Sequence, residues 1–423
     1  MNDEFEMLKS EKKDSALSIQ PAALRVPEIR FQGCSGEWVE SEFSGIATRV
    51  SIQHQGTCLP CVEYEDIVAG EGRFNKDVYR KKTLKAGLKF EVNDVLFGKL
   101  RPYLKNWFLA DFEGIAVGDF WVLRAYNVAS TFLFYLIQTN KFEFISNLSS
   151  GSKMPRSDWG LVSSSCFFVP NNIPESNKVG NFFQKLDSLI NQHQQKHDKL
   201  SNVKKAMLEK MFPKPGKTTP EIRFKGFSGE WEEKPLKKIA SDITDGNWIE
   251  AEHVFDSGEY RIIQTGNIGV GQYLDRPKHA KYFHQSNFDA VRGNEIFPGD
   301  ILISRLADPA GRAVILPNTG YKMVTAVDVA IVRPEPCFDS YFFMTLLNRD
   351  EILKAVGEWV SGTSHKRISR ANLVKMKAVV PCAAEQTAIG NYFQKLDSLI
   401  NQHQQQITKL NHIKQACLSK MFV

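Results

Sequence analysis

Residues 180–195 read GNFFQKLDSLINQHQQ and residues 390–405 read GNYFQKLDSLINQHQQ, a repeat broken only where Phe182 becomes Tyr392. A second repeat stands well ahead of each: PEIRFQGCSGEW at 27–38 returns as PEIRFKGFSGEW at 220–231, with ten of twelve positions identical. The two long stretches enclosed by these near-copies scarcely resemble each other. Self-similarity of this kind marks a duplicated architecture, here with constant connectors and variable contents.

The closing repeats carry seam residues at alternating four- and three-residue steps. They are Leu186, Ile190, His193, His197, Leu200, Lys204, Met207 and Met211 in the first, and Leu396, Ile400, His403, Ile407, Leu410, Lys414, Cys417 and Met421 in the second. The spacing predicts helices over 178–212 and 388–423, each about 50 Å long at 1.5 Å per residue. So narrow an apolar seam does not hold a single helix in water. The two are therefore expected to pack together as a coiled coil, antiparallel because a folded domain lies between them. Phe183, Leu186, Ile190, Leu200 and Met207, with Phe393, Leu396, Ile400, Ile407 and Leu410, are the candidate helix–helix or partner interface. Lys204, Lys205 and Lys210 lie near a helix end, where cations are favoured. Asp187 and Asp397 read as helix-surface or partner-docking residues.

Weaker echoes join the variable stretches at steadily rising offsets. Asp94-VLFGKLRP matches Asp300-ILISRLADP, Asp119-FWVLR matches Asp328-VAIVR, and Ser130-TFLFYLI matches Ser340-YFFMTLL. Each stretch reads as short strands, then a helical stretch (130–148 and 340–359), then a polar loop (SGSKMPR at 150–156, SGTSHKR at 361–367) and a last apolar run. The fold class is mixed α+β: two similar domains, at 27–174 and 220–385, with helical spacers at 175–212 and 386–423 and internal pseudo-two-fold symmetry. MFPKPGKTTP at 211–220 reads as a linker, with 213–219 as its body. Residues 1–26 read as a flexible arm. Trp38 and Trp231 are expected in cores.

With 423 residues, 42% of them hydrophobic, the chain can bury two or three cores. It has no apolar run of about 18 residues and no secretory signal, so it is expected in the cytoplasm and off the membrane. Seven cysteines without a regular framework suggest reduced thiols. Cys58-Leu-Pro-Cys61 has no second ligand pair to complete a zinc site. The net charge of +6 is carried by the helical repeats, so any nucleic acid held by the variable stretches must meet local patches.

The order, spacing and content of PEIRFxGxSGEW and NxFQKLDSLIxxxQ…KL…K…KMF resemble specificity subunits (HsdS type) of type I restriction–modification systems. The resemblance runs from Pro27 to Phe422, although the PEIRF opening itself suggests no chemistry. It implies two target-recognition domains, each reading one half of a bipartite double-stranded DNA target, on helices that set the spacing and dock methyltransferase subunits. It implies a restriction/translocase subunit as a further partner, with S-adenosylmethionine, ATP and Mg on the partners and no cofactor, metal or catalysis in this chain. Because the two variable domains differ, the target is expected to be asymmetric.

Base reading needs forked donors, and positioning needs cations near phosphates. The candidates are Ser152, Lys153 and Arg156 in the first polar loop, and Thr363, His365, Lys366 and Arg367 in the second. At the strand ends they are Lys99, Arg101 and Lys105, with Arg305 and Arg312 at comparable places. Enzyme signatures are missing. Gly216-Lys217-Thr218 imitates the end of a P-loop, but Met211 stands where its first glycine belongs. The glycines at 266, 269 and 271 lack a dinucleotide-fold context, and there is no Asn-Pro-Pro-Tyr-like methyltransferase motif. A structural coiled-coil adaptor is the competing expectation, and a fused nuclease or methyltransferase a third.

Overall fold

The computed structural model describes residues 25–55, 58–82, 84–148, 154–306, 308–361 and 366–423. The chain divides into two compact units: unit 1 is Met1–Gln195 with Gln404–Val423, and unit 2 is Lys196–His403. Both divisions fall inside a long helix, so the units cut across the expected succession of recognition domain and spacer.

Unit 1 begins with β1 (Val39–Glu42), β2 (Ala47–Val50), β3 (Gln53–His54), β4 (Cys61–Val62), β5 (Ile67–Val68) and β6 (Arg73–Phe74). It continues with β7 (Gly87–Phe90), β8 (Val95–Gly98), β9 (Trp107–Leu109), β10 (Gly114–Ala116), β11 (Phe120–Ala125) and β12 (Cys166–Val169). Three short helices, α1 (Ser130–Leu136), α2 (Asn140–Ser146) and α3 (Trp159–Ser164), precede β12, and the long α4 (Ile173–Lys210) follows it. Eight of these strands form two four-stranded sheets, ordered β2-β11-β8-β9 and β3-β7-β10-β4, while β1 pairs with β12 and β5 with β6. β8 is buried along its whole length, as its continuous apolar run requires.

Unit 2 contains β13 (Glu232–Pro235), β14 (Ile243–Asp245), β15 (Tyr260–Ile263), β16 (Lys281–Phe283) and β17 (Glu295–Ile296). Then come β18 (Ile301–Ser304), β19 (Ala313–Ile315), β20 (Lys322–Thr325), β21 (Val329–Val332) and β22 (Lys377–Val380). Its helices are α5 (Leu236–Ile239), α6 (Gln285–Ala290), α7 (Ser340–Leu347), α8 (Asp350–Glu358) and α9 (Arg370–Leu373), and α10 (Ala383–Met421) begins in it. The sheet β14-β21-β18-β19 repeats β2-β11-β8-β9 strand for strand. In the other sheet β15-β20-β17 repeats β4-β10-β7, including the parallel pair. The edges differ: β3 lies beside β7 in unit 1, whereas β16 lies beside β15 in unit 2.

Two expectations need correction. The helical stretches at 130–148 and 340–359 are each two helices, with no proline or glycine at the break. Thr139 instead caps α2 by accepting from the Phe142 amide, and the Asn348 side chain bonds the Ala313 backbone, turning the chain before α8. The supposed linker starts in a core: Met211 and Phe212 are 3% and 1% exposed. Phe212 packs on Trp231, Phe342 and Phe393 in unit 2. Phe422, at the same place after the other long helix, packs on Trp38, Phe132 and Phe183 in unit 1.

The long-helix segments run antiparallel within each unit. In unit 1 Phe183 meets Phe422 while Asp187 meets Lys414. In unit 2 Phe393 meets Phe212 while Asp397 meets Lys204. Lys204 is thus held by a carboxylate rather than by a helix end. Asp187 also accepts from the Tyr135 hydroxyl and Asp397 from that of Tyr341, at 2.8 and 2.6 Å. Burial and the neighbouring carboxylate push both phenols up. The repeated aspartates therefore clasp the short helices of each unit to both long-helix segments.

The opening repeat also acquires a role. Arg30 forks onto Glu175 at 2.7 and 2.8 Å, and Arg223 onto Glu385 at 2.6 Å for both bonds. Each arginine also donates to a glycine carbonyl, Gly36 or Gly229, that a positive φ turns toward it. In unit 1 the Trp38 indole N–H adds a third bond to Glu175, 3.1 Å long.

The glycine that opens each closing repeat marks a close approach. A Cβ on Gly180 would collide with the Thr131 side chain and lie 2.8 Å from the Phe132 amide nitrogen. One on Gly390 would collide with the Asp339 carboxylate, which caps α7. Helix propensity alone favours Gly390→Ala by about 1 kcal/mol. We expect the reverse, a loss of about 1–3 kcal/mol from overpacking, read as a lowered denaturant midpoint.

Candidate nucleic-acid interface

The strand-end and polar-loop candidates, far apart in sequence, converge on one aspartate in each unit. At the end of β8 the Lys99 amide donates to the Asp119 carbonyl (2.9 Å), and its ammonium lies 3.6 Å from the Asp119 carboxylate. Arg156 reaches the same carboxylate at 2.9 Å, and Leu100 bridges Arg156 in antiparallel register. Unit 2 repeats the device. The Arg305 amide donates to the Asp328 carbonyl (2.8 Å), Arg367 lies 3.0 Å from the Asp328 carboxylate, and Leu306 bridges Arg367. Asp119 and Asp328 opened matching strands in the sequence, but nothing there marked them as the hub of a site.

The candidates differ sharply in access. Arg156 and Arg367 keep 60% and 40% of their side chains in solvent, and Lys366 is exposed 3.7 Å from Asp308. Arg305 is a correction: its side chain is 4% exposed. The guanidinium is held between Asp245 at 3.2 Å and the Val327 carbonyl, so it organises the loop from inside. Burial pushes it below its ordinary range. Arg370 joins Asp245 from the other side at 3.2 Å. Lys105 is tied to Glu143 on α2 at 2.8 Å. Arg101 adopts a left-handed backbone and donates its amide to Pro155. The Nε atoms of Arg101 and Arg312 are shielded from water without a hydrogen-bond partner among the described residues. Ser152, Lys153, Thr363 and His365 lie outside the described residues, as do residues 1–24 of the expected arm.

The seam candidates divide by unit. Phe183 and Leu186 belong to the unit 1 core, with Leu410 packed against it, and Ile190 and Ile407 line a cleft of about 670 Å³ there. Phe393 and Leu396 belong to the unit 2 core, with Leu200 and Met207 against it. Ile400 is half-buried. Phe183 and Phe393 therefore serve the cores of the two units as much as the helix seam. Among the described residues no helix is long and apolar enough to cross a membrane, and no cluster of His, Cys, Asp and Glu is arranged to hold a metal.

Two units of one sheet topology with different edge strands, each packed on segments of both long helices, define a duplicated α+β fold. Residues 228–412 match the type I restriction modification DNA specificity domain family. The specificity subunit of type I restriction enzyme MjaVIII from Methanocaldococcus jannaschii is 21% identical over 283 residues, 64% of each chain. The match thus spans under two thirds of that relative's length. The crystal structure of a type I restriction-modification system S subunit from M. genitalium is similar in fold, with a TM-score of 0.61 and 13% identity over 94% of this chain and 99% of that one. The HsdS subunit from Thermoanaerobacter tengcongensis is 19% identical over 91% and 96%, at a TM-score of 0.42. The second half of the chain thus matches a DNA specificity domain, and the whole chain is similar in fold to the M. genitalium S subunit.

Proposed function

We propose that this chain is the DNA-sequence-recognition subunit of a type I restriction–modification complex. Each unit reads one half of an asymmetric bipartite target in double-stranded DNA. The long helices set the spacing and dock methyltransferase subunits, and a restriction/translocase subunit joins them. Methylation and cleavage, with S-adenosylmethionine, ATP and Mg, belong to those partners, and the complex works in the cytoplasm.

One observation carries this reading: the same frame recurs in both units while the surface it carries changes. The hubs at Asp119 and Asp328 and the clamps at Glu175 and Glu385 are duplicated. Edge strands β3 and β16 are not. An adaptor has no use for two units that share a frame and differ at their sheet edges.

The test is to map methylated adenines in cells carrying the chain with its partners, before and after exchanging residues 27–174 for another specificity subunit's first domain. One half of the methylated motif should change and the other should persist. Methylation without site preference would leave the adaptor reading standing.

A further inference from the structure

Strand β16 and the run DRPKHA before it (275–280) have no counterpart among the described strands of the unit 1 sheet. With β15 and the turn at 317–321 they wall a cavity of about 450 Å³, lined by Arg261, Tyr273, Asp275, Pro277, Tyr282 and Tyr321. Arg261 on β15 is the register partner of Tyr282 on β16, and its side chain is 7% exposed. Its guanidinium pairs with Asp275, which is itself 59% exposed at the mouth. The Tyr273 hydroxyl is shielded from water without a hydrogen-bond partner among the described residues. The rings of Tyr282 and Tyr321 meet edge-on at 5.9 Å.

Buried polar groups in folded proteins are as a rule satisfied, so an orphaned hydroxyl beside a guanidinium with five donors marks a place prepared for another molecule. Flat aromatic and proline walls suit a planar ring, and forked donors suit the acceptor edge of a base. A phosphate fits poorly, since the exposed Asp275 carboxylate at the mouth would repel it. By strand register Pro60 holds the place of Arg261 in unit 1. The lysines near there, Lys76, Lys81 and Lys85, are occupied by Glu63 and Asp66. Among the described residues the device belongs to unit 2 alone.

We propose that this cavity receives the hydrogen-bonding edge of one nucleobase and is a point at which unit 2 reads its half of the target. The inference rests on the recognition function above. Arg261 forks onto the base, Asp275 holds the plane of the guanidinium, and the Tyr273 hydroxyl supplies a further bond.

The test uses the full chain assembled with its methyltransferase partners. Motifs are mapped for wild type, Arg261→Lys and Tyr273→Phe, the unit 2 half having been identified by domain exchange. Arg261→Lys keeps the charge but loses the fork. It should relax discrimination at one position of the unit 2 half about ten-fold or more, leaving the other half intact. Tyr273→Phe removes a hydroxyl that has no internal partner, so it should relax the same half while the melting temperature holds. Unchanged motifs in both variants overturn the inference. So does uniform weakening across all sequences with a shallower salt dependence, the mark of a phosphate contact. Wild-type methylation without site preference would instead overturn the recognition function beneath it.

Discussion

Replacing Glu175 with alanine is expected to destabilise unit 1 by about 3–5 kcal/mol, the usual effect of removing one partner from a buried ion pair. The carboxylate is 1% exposed and the Arg30 guanidinium 14%, so water cannot replace the lost bonds. Two charge-assisted bonds from Arg30 disappear, and the Trp38 indole N–H loses its acceptor. Glu385→Ala should act similarly on unit 2 through Arg223, which is 18% exposed. There the Trp231 indole N–H already lacks a partner among the described residues, so the loss should be somewhat smaller. Denaturant unfolding measures both, and a loss under about 1 kcal/mol would show that the clamp adds little. Methionine at both Arg30 and Glu175 should recover much of the stability, because a hydrophobic pair avoids desolvating two charges. The single variant should therefore be worse than the double.

These clamps also show where the sequence was legible. The long helices were plain, because a repeat of sixteen residues with seam spacing has few alternative folds. Their partners were less so. Glu175 and Glu385 lie 210 residues apart, the same offset as the closing repeats, and that shared offset was the available signal. What it could not convey was that Arg30 and Arg223 fold back onto them, since such contacts depend on tertiary closure across 145 and 162 residues. Burial was equally hidden at Arg305. The apolar run of β18 ends at Ser304, and a charged residue after a strand reads as surface until the Asp245 side chain is brought over it. Tyr135 and Tyr341 reach equivalent aspartates from positions one helical turn apart, so no aligned pair pointed to the clasp. The cavity around Arg261 gathers residues from two strands and two loops that share no spacing.

Phe212→Ala is expected to destabilise unit 2 by about 3–5 kcal/mol, the range for truncating a buried aromatic ring. The ring is stacked on Phe342 with centroids 5.5 Å apart and lies 6.0 Å from Phe393 and 5.9 Å from Trp231. The Arg349 guanidinium covers it at 4.8 Å. Phe422→Ala removes the matching ring from unit 1, but that ring is 9% exposed, against 1% for Phe212. Less of its surface leaves water on folding, so the effect should fall toward the lower bound. Hydrogen exchange separates the two: Phe212→Ala should raise exchange across residues 220–403 and spare 27–195, and Phe422→Ala should do the opposite. Equal loss in both units from either variant would mean that the rings do not act as local plugs. The repeated Lys-Met-Phe ending gives both rings the same place after a long helix. Each long helix starts in the core of the unit whose variable domain precedes it, and its closing phenylalanine is locked into the other unit's core. A helix free at that end would fray within its last turns, so each closing phenylalanine fixes the end of the helix that carries it.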